Sequence, residues 1–169
     1  MLKQMNAQYI VSFEPQGPIK EKQRLIQEAL SAYFPPDSYS VVGLPVNASV
    51  PFEIPRMLAI SPFGHSTLQI AESELRMRTN FDAQFNEDHP KCWEYFKERV
   101  DAINEIAKRV SESRLLFAGI VAQFFDPDIK SPREFIRNTY YKNTIDSDVY
   151  NISAGMTYVR EGQYYLNLI

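Results

Sequence analysis

The chain has 169 residues, 44% hydrophobic and 23% charged, with 18 Lys+Arg against 21 Asp+Glu and a net charge of −3. These values exclude collagen-like, low-complexity and disordered classes, and with neither half basic the footprint of a general nucleic-acid binder is missing. The single cysteine, Cys92, excludes an internal disulfide framework and any multi-cysteine metal site.

The first segment, Gln8 to Phe13, is β-branched and aromatic and predicts a strand that breaks at Glu14-Pro15-Gln16-Gly17-Pro18. From Ile19 the pattern turns helical. Leu25, Ile26, Ala29, Leu30 and Tyr33 make one stripe, and Pro35-Pro36 stops it. Residues 37–55 are loop-like, with Ser40 to Leu44 a short edge strand. Arg56 to Ser61 and Ser66 to Ala71 are two strands around the turn Pro62-Phe63-Gly64-His65. Glu74 to Phe81 is a third, with Leu75, Met77 and Thr79 facing one way and Arg76 and Arg78 the other.

Pro90 fits the first turn of a long helix, capped by Asp88 or His89. Trp93, Phe96, Val100, Ile103, Ala107 and Val110 repeat at spacings of three and four, the mark of a helix lying on a sheet. Leu115 to Phe125 is apolar without alternation and is expected as a central strand buried on both faces. Ser131-Pro132-Arg133-Glu134 reads as a capping box opening a third helix. A loop over Asn143 to Asp148 follows, then a hairpin from Val149 to Ile169 turning at Arg160-Glu161-Gly162.

Two segments echo each other. Ile10-Val11-Ser12-Phe13-Glu14-Pro15 resembles Ile120-Val121-Ala122…Phe125-Asp126-Pro127, and the hairpin at Gly64 resembles the one at Gly162. The expected architecture is one α+β domain: a mostly antiparallel sheet of six or seven strands with three helices on one face. Pseudo-duplicated strand–helix–hairpin halves, 1–85 and 115–169, would be joined by the helix 90–111. The other sheet face is then left to solvent or a partner.

The chemistry in the sequence is sparse. His65 and His89 lie 24 positions apart in no metal-ligand spacing and read as turn and cap. Cys92 stands three residues after His89 in the first turn of the long helix, but no third group orients the pair, and an inert buried cysteine is the favoured reading. Six glycines form neither a phosphate loop nor a dinucleotide fingerprint, so no cofactor is indicated. Arg56, Arg76 and Arg78 would line one sheet face if their strands pair, an arrangement suited to an anionic partner. Tyrosines crowd the C-terminal hairpin, with Tyr158, Tyr164 and Tyr165 at strand positions where association is common.

The stretch Arg56…Ser61…Gly64…Leu68-Gln69-Ile70, then Trp93-Glu94…Phe96, then Ala118-Gly119-Ile120 leading to Asp126-Pro127, resembles an uncharacterised, sporadically distributed bacterial family without an assigned activity. Phe13-Glu14-Pro15 matches the strand end with which its members begin, and the resemblance covers residues 8–140. Where that family carries an Arg-Tyr pair in the buried strand, this chain has Ala122-Gln123, and it is shorter than typical members. The resemblance implies the order of strands and helices and carries over no catalytic residues.

The expected function is a non-enzymatic protein-interaction module or adaptor, chaperone-like in its open sheet, with a protein partner or a homo-oligomeric state. The alternative is a small-molecule-binding protein or metal-dependent enzyme with paired βαββ modules, a layout similar to the vicinal oxygen chelate fold. A third reading is a nucleic-acid accessory protein using Arg56, Arg76 and Arg78. With no signal peptide or apolar run long enough to span a bilayer, the expected location is cytoplasmic, in a bacterial cell.

Overall fold

The computed structural model describes residues 3–35, 38–45, 50–84, 86–111, 115–130, 134, 156–160 and 164–168. Residues 1–125 and 126–169 are two compact units.

The first unit opens with β1 (Lys3–Phe13), in which Ala7, Tyr9, Val11 and Phe13 are buried and Gln8, Ile10 and Ser12 are half-buried. That alternation is what a strand covered on one face requires. A short 3-10 turn leads into α1 (Gln23–Tyr33), which buries Ile26, Ala29 and Leu30 and ends where Phe34 becomes extended before Pro35. Tyr33, read as part of the apolar stripe, stays exposed. Then come β2 (Ser40–Gly43), β3 (Met57–Ile60), β4 (Ser66–Ile70) and β5 (Glu74–Asn80). Phe63 and Gly64 both take positive φ in the turn between β3 and β4. Glycine adopts this conformation freely, and a phenylalanine does so only under local constraint.

The sheet order is β2-β3-β4-β5-β1-β6, where β6 is Leu115–Phe125, and every neighbouring pair is antiparallel. The first strand thus inserts between β5 and β6, with Tyr9 opposite both Met77 and Ile120. The α+β class with a six-stranded antiparallel sheet is as the sequence indicates. Two α-helices are described, and the helix expected from Ser131, like the loop at 143–148, lies outside the described residues.

The second helix, α2 (His89–Val110), begins as its sequence predicts. Pro90 is in the first turn, and the Asp88 carboxylate accepts a hydrogen bond from the Lys91 amide at 3.2 Å. It packs on α1, β1 and β5. Its buried stripe is Cys92, Phe96, Arg99, Ala102, Ile103, Ile106, Ala107 and Val110. The helix is therefore rotated relative to the expected stripe, and Trp93 is 49% exposed where Cys92 and Arg99 turn inward.

One expectation is overturned. β6 is an edge strand, and all of its residues are exposed except Gly119, which is half-buried. The run without alternation shows only that β6 has no polar face; which neighbours cover it depends on strand order. β1 pairs with it on one side, and α2 lies over β1 and β5. Among the described residues no helix is long and apolar enough to cross a membrane.

In the second unit, β7 (Met156–Arg160) and β8 (Tyr164–Leu168) form the antiparallel hairpin expected at the C-terminus.

Candidate functional site

The face of the sheet away from the helices is polar at its centre. Cross-strand partners share a face, so register fixes its rows. Gln8, Arg78 and Thr67 form one row, and Ile10, Arg76 and Gln69 the next. Gln8, Thr67, Gln69, Arg76, Arg78 and Asn80 line a trough of about 360 Å³. Arg76 is tied to the Glu74 carboxylate through Nη2 at 2.8 Å. Its Nε is shielded from solvent and has no hydrogen-bond partner. Arg78 is exposed and engages no other described residue.

Arg56 does not join this pair. It is buried just before β3, its amide donates to the Ile70 carbonyl, and its guanidinium donates to the Val50 carbonyl at 3.0 Å and to Glu72 at 3.4 Å. Of the three arginines singled out in the sequence, the structure brings two to the open face and spends the third on holding the 50–56 loop against Glu72.

Tyr158, Tyr164 and Tyr165 fall on β7 and β8, with Tyr158 opposite Leu166, Val159 opposite Tyr165 and Arg160 opposite Tyr164.

His89 and Cys92 stand in the first turn of α2. The His89 ring sits edge-on to Phe124, with centroids 5.8 Å apart. The Cys92 thiol is buried and pushed up from its ordinary value, first by desolvation and then by the Asp88 carboxylate, against a smaller opposing pull from a backbone hydrogen bond. A thiol held protonated is a poor nucleophile. In the native protein at mildly alkaline pH, Ellman's reagent is expected to react with Cys92 at least about 100-fold more slowly than in denaturant, since access and thiolate fraction both fall. Equal rates in the two states would show the thiol to be open. Among the described residues, no group of three or more His, Cys, Asp or Glu side chains is placed to hold a metal ion.

The second feature of the unit is the outer edge of β6, where no other described strand pairs. Leu115, Leu116, Phe117, Ile120, Val121, Phe124 and Phe125 are each between 42% and 62% exposed. Ala118, Ile120 and Ala122 share the helix-side face with Val11, Tyr9 and Ala7. Phe117, Gly119 and Val121 share the open face with Ser12, Ile10 and Gln8. The Phe117 ring lies over Gly119, where an added Cβ would come within 2.6 Å of it. At the far end the Asn6 amide donates to the Gln123 side-chain oxygen at 2.5 Å, which anchors β6 to β1.

No family model, curated protein or solved structure matches this chain. The functional reading therefore rests on the geometry of these two surfaces. The sequence pointed to Arg76 and Arg78 through their alternation. It gave no sign that an apolar run would stand at the sheet edge.

Proposed function

We propose that the protein is a non-enzymatic protein-interaction module that works by strand addition at β6, and that the added strand is β6 of a second copy. One observation carries this reading: an 11-residue edge strand without a single charged residue, bearing seven large apolar side chains about half exposed. Edge strands are ordinarily guarded by charges, prolines or short length, because their free amides and carbonyls template further pairing. Val121, Ile120 and their neighbours provide none of these guards.

The strand suits a copy of itself. Antiparallel pairing about a two-fold axis brings the Leu115 end of one strand to the Phe125 end of the other, with no like charges opposed. Strand addition would cover the free amides and carbonyls of β6 together with the flanks of its large apolar side chains, which alternate between the two faces. The two sheets would then run on as one, with the helices of both copies on one side and both polar troughs on the other.

Analytical ultracentrifugation of the full chain tests this. A dimer is expected at about 10 µM, and Ile120→Lys or Val121→Lys, both near the midpoint of β6, is expected to weaken it at least about 100-fold, since each places like charges close together across the axis. Unchanged circular dichroism would show that these exposed positions tolerate lysine in the monomer. A wild-type protein that stays monomeric at about 100 µM, or a dimer indifferent to both lysines, overturns the self-pairing.

A further inference from the structure

We infer that the trough on the open sheet face is a binding site for a small phosphate-bearing ligand, with Arg78 as its principal charge. This rests on the side chains of β1, β4 and β5 and is independent of the pairing proposed for β6. The chemistry of the lining points one way. Two guanidinium groups, a hydroxyl and three amide side chains meet there, and none of the six lining residues is acidic.

The donors are unspent. Gln8, Thr67, Gln69 and Arg78 use their side-chain groups on no other described residue, in contrast to Arg56 and Arg99, whose guanidiniums are both engaged inside the protein. Arg76 has one end fixed by Glu74, while its Nε is cut off from water and bonded to nothing. The Glu74 contact also orients Arg76, in the way a supporting partner orients a ligand-binding group.

The spacing fits a phosphate better than a carboxylate. Arg76 and Arg78 are two residues apart on one strand, so their Cα atoms are about 7 Å apart, and Gln8 and Thr67 flank Arg78 at about 5 Å on either side. Donors thus surround the centre of the patch, which suits a tetrahedral group with three free oxygens. A carboxylate would be satisfied by one guanidinium alone. The volume of about 360 Å³ is at the small end for ligand sites, which fits a metabolite-sized molecule. A nucleic acid needs several phosphate contacts along a track, and here Arg78 is the lining cation without a carboxylate partner.

The test is calorimetric titration of the full chain with inorganic phosphate and with phenyl phosphate, with acetate as the carboxylate arm. Saturable binding of both phosphates is expected, with acetate at least about tenfold weaker. Arg78→Gln is expected to weaken phosphate binding at least about tenfold, as loss of a charge-assisted donor pair does, and to unfold at the wild-type temperature because Arg78 holds no other described residue. Arg24→Gln, at an exposed arginine on α1 that pairs with Glu28, removes the same charge elsewhere and is expected to leave binding unchanged. The site is refuted if neither phosphate saturates below about 10 mM, or if Arg78→Gln and Arg24→Gln act alike. Tighter binding of a short oligonucleotide, with a salt slope of several ions, would replace the small ligand by a polymer.

Discussion

Arg99→Ala is expected to cost the fold about 3–5 kcal/mol, from the loss of the cation–π contacts, charged hydrogen bonds and stem packing of a buried guanidinium. Arg99 is on α2 and is 7% exposed. Its guanidinium carbon lies 3.2 Å from the Tyr95 ring centroid and 5.1 Å from that of Phe34, so the cation is held between two aromatic faces. Nη1 donates to the Tyr95 carbonyl at 2.7 Å, and Nε donates to the Ser66 hydroxyl at 3.2 Å. Ser66 is in turn 3.0 Å from the Thr79 hydroxyl, so one side chain of α2 ties together α1's end, β4 and β5. Desolvated cation–π contacts contribute roughly 2 kcal/mol, and hydrogen bonds from charged groups about 1.5–3. Both are lost in alanine, along with the packing of the stem.

Two companion variants separate charge from packing. Arg99→Lys keeps the charge and loses the planar stacking, so it recovers only part of the loss. Arg99→Met keeps the volume without leaving an unpaired ion, and is expected to fall between wild type and alanine. Urea denaturation with a constant slope checks all three, and an alanine variant within about 1 kcal/mol of wild type would show that the stacked arginine does not hold the helix to the sheet. Tyr39 provides a second readout. Burial pushes its phenol up while the nearby Arg99 charge pulls it down, so removing Arg99 is expected to raise the pH at which Tyr39 ionises.

Local chemistry was legible in the sequence. Asp88 and Pro90 start α2 where their types require, and alternation in Glu74–Asn80 puts Arg76 and Arg78 together on the outer face. What was not legible depends on contacts between distant residues. Arg99 lies four residues from Tyr95, but its other partners, Phe34 and Ser66, come from separate elements, and a charged residue in a helix reads as solvated until they are known. Arg56 meets Glu72 across 16 residues, which removes it from the cationic patch it was expected to join. The trough has the same origin: Gln8 becomes a neighbour of Arg78 only because β1 inserts beside β5. β6 shows the limit most clearly, since apolar composition calls for cover and strand order decides whether the chain provides it.

The rotation of α2 leads to the other large effect, which is expected at Phe96. Successive residues turn about 100° around a helix, and the centre of the buried stripe lies roughly half that angle from the expected one, which takes Trp93 out of the core and brings Cys92 and Arg99 in. Phe96 lies on the overlap of the expected and observed stripes and is 1% exposed. Its ring packs in the layer between helix and sheet, with the Trp93 ring centroid 6.3 Å away on the outer side. Phe96→Ala is expected to cost about 3–5 kcal/mol, combining lost transfer energy with a cavity that rigid strands cannot close. Trp93→Ala deletes a larger side chain yet is expected to cost less than about 1.5 kcal/mol, because half of that surface already faces water. Thermal and urea unfolding of the two variants side by side read the orientation of the helix directly. A larger loss at Trp93 than at Phe96 would mean that α2 meets the sheet through the stripe centred on Trp93 and Val100, with Arg99 turned toward water.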